Sequence, residues 1–290
     1  MKKKVLFILL AMAMLLVGCT SEKPATTEPT ETEEKTESNS SETEKEPEKK
    51  SLKVGTFSSS GIAAEAGVST LEEMGYEIEV IYFDDAVLPN VALQEGSIDF
   101  NMFQHTPYLE AYMENNHGVD LTMAELIYYP NYGLYSSKYE TLDDLPEGAK
   151  IGLYSDASNV DRGLRILDSY GLIKLTDEEK DIYNELDIVE NPKNFTFELV
   201  GFGTAVRAME DLDASMAASS HILAADLDPT AALALEERDK ANADFTCGIA
   251  VRTEDLETVW LEDVIKAYTS DASAQYMNEN YKGASVPVFN

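Results

Sequence analysis

From residue 51 onward the chain alternates short apolar runs with longer amphipathic stretches, and this alternation constrains the fold more than any other feature. Seven runs, "LKVGTF", "EIEVIYF", "IDFNMF", "KIGLYS", "FTFELV", "ASMAA" and "CGIAVR", show period-two alternation or short apolar blocks bounded by turn residues, as strands do. Between them, Tyr108, Leu109, Tyr112 and Met113 fall on one helical face, and Leu256, Val259, Trp260 and Val264 do so later. Strands alternating with helices predict an α/β architecture with mostly parallel sheets. The span is long enough for one large domain or two lobes.

The chain before residue 51 has a different character. Lys2, Lys3 and Lys4 precede an apolar run from Val5 to Val17 that is too short to remain in a bilayer, which reads as a signal peptide over residues 1–18. Its end, Leu16-Val17-Gly18-Cys19, resembles the lipobox of bacterial lipoproteins, in which the cysteine is acylated and becomes the mature N-terminus. That resemblance implies a protein tethered through Cys19 to the extracytoplasmic face of the cell membrane. Residues 20–50 hold no aromatic and no branched aliphatic side chain. They cannot bury enough surface to fold, so residues 19–50 are expected to form a flexible stalk.

Charge and cysteine content exclude several classes of function. With 54 acidic residues against 22 basic ones the net charge is −32, a surface that repels phosphate backbones and excludes nucleic acid as a partner. Once Cys19 carries lipid only Cys247 remains, so neither an internal disulfide nor a cysteine-based metal site is expected. Cys247 reads as a small buried residue of a strand. The sequence shows no glycine-rich phosphate loop, no histidine pair at zinc-binding spacing and no nucleophile elbow. Neither cofactor nor metal is implied, and binding without chemistry is the simpler account.

In α/β sheets ligands bind where strands end and loops lead into helices. Three such junctions carry polar groups. "VGTFSSSGIAAEAG" offers the hydroxyls of Ser58, Ser59 and Ser60 and free N–H groups to an anion, or simply caps a helix. "FNMFQHTPYL" places His105, one of three histidines, before Pro107; it fits a metal ligand, a base, a pocket wall or an ordinary core residue. In "LYSDASNVDRGLRIL", Asp156 and Ser158 are potential N-caps, and Asn159 and Arg162 lie three apart, facing one site from the start of a helix. Arginine's planar fork suits a carboxylate; the competing reading is a surface ion pair.

Several segments together resemble the methionine-binding lipoproteins, the substrate-binding components of bacterial ABC importers. They are "LPNVALQEGSIDFNMFQHTPYLEAY", "LYSSKYETLDDLPEGAKI", "SDASNVDRGLRIL", "GLIKL", "DIVENPKN" and "YKGASVPVF". The resemblance implies a two-lobed periplasmic-binding-protein fold of type II, with a mixed, mostly parallel sheet in each lobe and two hinge crossings. Lobe 1 would hold residues 51–136 plus 247–290, and lobe 2 residues 137–246. It also implies a monomer that traps methionine, or a related amino acid or short peptide, between its lobes and presents it to a permease with its ATPase.

The same resemblance assigns Phe103 and His105 to the pocket from the first lobe, with Tyr129 beside Pro130. It puts Arg162 on the ligand's carboxylate with Asn159 next to it. At three places the chain departs from the family pattern. Ala86 stands where a pocket tyrosine is expected, Ser58-Ser59-Ser60 replaces a Gly-Pro-His loop, and Ala218 replaces an asparagine, followed by Ser219, Ser220 and His221. A lost buried partner costs on the order of 1 to 3 kcal/mol. The expectation is therefore a pocket that keeps the grip of Arg162 but accepts a ligand other than, or bulkier than, methionine. Two alternatives are the same fold with a different small carboxylate, and a surface lipoprotein acting as adhesin or sensor.

Overall fold

The computed structural model describes residues 49–238 and 243–289. The expected signal peptide, Cys19 and nearly all of the stalk lie outside these residues. The chain forms β1 (Ser51–Phe57), β2 (Glu77–Phe83), β3 (Phe100–His105), β4 (Leu121–Pro130), β5 (Tyr132–Tyr135), β6 (Lys150–Tyr154), β7 (Lys174–Leu175) and β8 (Ile188–Glu190). It continues with β9 (Thr196–Val200), β10 (Ala214–Ala218), β11 (Ala234–Leu235), β12 (Cys247–Arg252) and β13 (Ser285–Pro287). Two principal sheets result, ordered β13-β4-β12-β3-β1-β2 and β11-β5-β10-β6-β9, with β7 and β8 pairing apart. Each principal sheet is the core of one lobe, and both are mixed: β1 pairs in parallel with β2 and β3, and β6 with β9 and β10. The antiparallel pairings belong to the strands on either side of the crossings, β4, β5, β11 and β12, and to β13.

The helices are α1 (Gly61–Glu65), α2 (Val68–Glu73), α3 (Leu88–Gln94), α4 (Thr106–Asn115), α5 (Ala157–Ser169), α6 (Ala205–Ala208), α7 (Ser219–Ala224), α8 (Val259–Tyr268) and α9 (Asp271–Tyr281). Helices cover both faces of the first sheet, which is why its strands read as nearly continuous apolar runs. On one face Leu52, Val54, Phe100 and Ile249 pack against Trp260, Val264 and Tyr268 of α8 and Met277 and Tyr281 of α9. On the other, Leu93 of α3 and Leu109 and Tyr112 of α4 close over Ile98 and Leu121. In the second lobe Leu134, Ile151, Leu153 and Met216 pack against Val160, Leu164 and Leu167 of α5. Among the described residues no helix is long and apolar enough to cross a membrane.

The chain passes from the first sheet to the second at Asn131 and returns between β11 and β12. The first passage comes before residue 136, where sequence places the end of the first lobe. Residues 126–135 form one apolar run broken only by Pro130-Asn131, and the residues beyond the break pair with β10 instead of the first sheet.

Candidate functional site

The site is assembled from strand ends. His105 is both the last residue of β3 and the N-cap of α4, its Nδ1 accepting the backbone N–H of Tyr108 at 3.2 Å. Pro107, which has no N–H to leave unpaired, sits in the first turn of that helix. Asp156 caps α5 in the same way, accepting the backbone N–H of Asn159 at 3.0 Å. Both of its carboxylate oxygens also accept the Asn159 side-chain amide at 3.0 Å, which fixes the orientation of that amide. Asn159 Oδ1 is thereby aimed at His105 Nε2, 3.4 Å away on the other lobe. Because Nδ1 is an acceptor, the imidazole proton belongs on Nε2, facing Asn159.

Arg162, one turn further along α5, is 2 % exposed. Its Nε donates to Glu236 Oε1 at 3.0 Å and Oε2 at 3.1 Å, and its Nη2 donates to Oε2 at 2.5 Å and to the Pro130 carbonyl at 3.0 Å. Tyr129 Oη donates to the same carboxylate. The guanidinium carbon lies 4.6 Å from the ring centroids of Tyr132 and Phe245, where cation–π attraction supports a buried charge. Burial opposes that charge, but Glu236 more than offsets it and holds the guanidinium protonated. These bonds engage Nε and Nη2 and leave Nη1. Glu236 is the partner sequence reasoning missed. It lies just past β11, 74 residues from Arg162, and among so many acids nothing in "LALEER" distinguishes it.

Between the lobes lies a cavity of about 30 Å³. Phe103 and His105 line it from the first lobe, and Asn159, Arg162, Ser220 and His221 from the second. A space of this size holds one or two waters. Three other expected site residues lie elsewhere. Tyr129 packs behind Arg162 against Glu236. Ser219 is buried with its hydroxyl 2.6 Å from that of Tyr135. Ser58 is exposed and lines a larger crevice of about 640 Å³ that shares only Phe202 and His221 with the small cavity. The loop geometry explains Ser58: the serines wind into a 3-10 turn, which buries Ser59 and Ser60 and turns Ser58 outward.

The cavity is also lined by Ser60 of the serine junction and by Tyr128, Tyr132, Tyr154, Phe202 and Cys247, five residues that the sequence does not single out as site residues. Tyr154 Oη accepts the Ala218 N–H at 3.2 Å and lies within hydrogen-bond distance of His221 Nδ1, 2.7 Å away. Its ring and those of Phe202 and His221 pack at centroid distances of 4.6 to 5.8 Å. Burial lowers both His221 and His105 to about 4, with the charge of Arg162 adding to the effect at His105, so both imidazoles are neutral near pH 7. Burial pushes the Cys247 thiol up to about 12, as for an inert core cysteine. Among the described residues no three metal-ligating side chains come together.

The pattern of the NlpA lipoprotein family matches residues 52–289. The chain belongs to the NlpA lipoprotein family. Over 288 residues, 98% of each chain, it is 30% identical to outer membrane lipoprotein 1 of Mannheimia haemolytica. It is 32% identical to the D-methionine-binding lipoprotein MetQ of Yersinia pestis over 218 residues, 74% of this chain and 79% of that one. Among solved structures, a nutrient binding protein from Burkholderia cenocepacia bound to methionine superposes with a TM-score of 0.76 at 34% identity, covering 82% of this chain and 100% of that chain. The NlpA lipoproteins are substrate-binding proteins and not enzymes.

Proposed function

We propose that this NlpA lipoprotein, anchored through an acylated Cys19 on the extracytoplasmic face of the membrane, is the substrate-binding component of an ABC importer. Its ligand is methionine or a related amino acid or short peptide. Residues 51–130 with 247–289 form one lobe and residues 132–238 the other, and a monomer of this shape delivers its ligand to a permease with its ATPase. Arg162 carries the reading. A guanidinium buried this deeply edges the cavity where both lobes meet, with Nη1 available for a carboxylate oxygen. Phe103 supplies an apolar wall for the side chain, and His105, Asn159, Ser220 and His221 surround the polar end. The likeness to a methionine-bound structure and to a D-methionine-binding lipoprotein supports the choice of ligand. A cavity of about 30 Å³ admits no amino acid, so ligand entry parts the lobes and breaks the contact between His105 and Asn159.

Mass spectrometry of the small molecules that co-purify with the protein, followed by calorimetric titration of L-methionine, tests this directly. Arg162→Lys keeps a cation beside Glu236 but removes the fork, and it is expected to weaken binding more than tenfold. Full-strength binding by that variant would overturn the carboxylate assignment. Of the relatives that match over nearly the whole length, one is named only as an outer membrane lipoprotein and another as a probable D-methionine-binding lipoprotein, so a surface protein without transport stands as the second reading. A binding protein gains about 2.7 kcal/mol of stability at a hundredfold excess of ligand over Kd, whereas an adhesin gains none.

A further inference from the structure

Three primary amides lie buried together between α3 and β3, and none of them lines the inter-lobe cavity. We infer that Asn90, Asn101 and Gln104 are positioning residues for ligand binding, which fix a bulge in β3 and through it the places of Phe103 and His105. This rests on the function proposed above, in which those two side chains hold the ligand.

The first observation is the register of β3. Against β12, Met102 stands opposite Ile249 and His105 opposite Cys247. Three steps along β3 therefore match two along β12, so β3 carries one extra residue at Phe103-Gln104, opposite Gly248. Pairing with β1 runs through Phe100 and Asn101, and beyond it the fully buried Thr56 hydroxyl donates to the Met102 carbonyl at 2.8 Å. A side chain takes over where the ladder stops.

The second observation is the direction of the side chains. Residues three apart in a regular strand point to opposite faces. Gln104 Nε2 nevertheless donates to Asn101 Oδ1 at 2.9 Å, so the extra residue has reversed the alternation. With Gln104 turned under α3, Phe103 and His105 are left to line the cavity. A slip of one residue would undo that arrangement.

The third observation is the closure of the amide network. Gln104 Nε2 also donates to Asn90 Oδ1 at 2.6 Å, and Gln104 Oε1 accepts Asn90 Nδ2 at 2.9 Å. Asn101 Nδ2 donates to the same Asn90 oxygen at 2.9 Å and to the Pro89 carbonyl at 3.4 Å. Leu93 and Ile98 pack in the same layer, so burial by itself does not call for amides there. Apolar packing has no direction and tolerates a slip, whereas a closed set of hydrogen bonds specifies one register.

Two measurements on the purified protein test the inference. In NMR of the imidazole nitrogens without ligand, His105 is expected to be a single tautomer with its proton on Nε2, because Nδ1 caps Tyr108. Gln104→Met, which keeps the volume and removes the amide, is expected to give a mixture of tautomers. In calorimetric titration with L-methionine, Gln104→Met is expected to bind about tenfold more weakly than the wild type. Leu93→Ala, a cavity-forming change in the same layer, is expected to lower the thermal midpoint and keep the wild-type Kd. Thr56→Val removes one hydroxyl at nearly constant volume; it is expected to act like Gln104→Met to a smaller extent, and it decides the matter if Gln104→Met does not fold. An unchanged His105 spectrum, an unchanged Kd in the variant that folds, or an equal loss of affinity in Leu93→Ala overturns the inference and leaves the proposed function standing. If the wild type does not bind L-methionine, the proposed ligand falls and the His105 spectra decide the positioning role by themselves.

Discussion

Glu236 holds Arg162 from within the same lobe through Nε and Nη2, and both side chains are 2% exposed. Removing one partner of such a pair strands a buried charge. Arg162→Ala or Glu236→Ala is therefore expected to destabilise the protein by about 3 to 5 kcal/mol. The double replacement Arg162→Met with Glu236→Met is expected to restore most of that stability while abolishing carboxylate binding. Chemical denaturation of the three variants measures this, and single variants that each cost less than about 1 kcal/mol would refute it. Loss of binding in Arg162→Ala alone would say little, since the variant is expected to be poorly folded.

The contact between His105 and Asn159 joins the lobes across the cleft at 3.4 Å, a long and weak hydrogen bond. Asn159→Ala is expected to favour the open form by about 1 kcal/mol, roughly a fivefold change in the open-to-closed ratio. Small-angle scattering of the unliganded protein should show a larger radius of gyration. An unchanged radius with unchanged ligand affinity would mean that the contact does not contribute to closure.

Stability should fall on mild acidification. Burial lowers His221 from 6.5 to about 4, so between these values the unfolded state binds a proton that the folded state does not. Stability therefore rises with pH across that window and declines as pH drops from 6.5 towards 4, by at most about 1.4 kcal/mol per unit for this one group. His105, lowered to a similar value, acts in the same direction. His221→Gln should flatten part of the slope in denaturation midpoints taken from pH 7 to 4. An unaltered slope would place the sensitivity elsewhere.

Gly248 lies where the register of β12 against β4 shifts, and a Cβ there would sit 1.9 Å from the carbonyl oxygen of Glu125. Backbone cannot move aside as a flexible side chain can, so Gly248→Ala is expected to cost about 3 kcal/mol or more. A thermal midpoint lowered by only a degree or two would contradict the close approach of the two strands.

The strands and the two ends of the site were legible in sequence for different reasons. β10 and β12 coincide with the apolar runs that announce them, because strands buried within a sheet need such runs, and β2, a half-exposed edge strand, coincides through its period-two alternation. β3 extends two residues past its expected end and carries His105 to the rim, since a polar residue can finish a strand while capping the next helix. β4, β5, β11 and β13 were not anticipated. Their pairing depends on which sheet the chain has reached, and a local pattern does not record that.

Asn159 and Arg162 were readable because three residues of helix set their relation within one segment. Their partners were not. Whether the guanidinium meets a ligand, a surface acid or Glu236 depends on contacts between residues far apart in the chain, and this protein has many acids to choose from. The sequence by itself determined the alternation of strands and helices, the capped start of α5 and the shared helical face of Asn159 and Arg162, all set by local periodicity and side-chain chemistry. Only the tertiary structure decided that Glu236 neutralises that arginine, that Tyr132 lines the cavity with its hydroxyl buried and unpaired, and that Ser58 faces away from it. Those outcomes depend on how two sheets joined at Asn131 fold over one another, and burial then fixes which polar groups have partners.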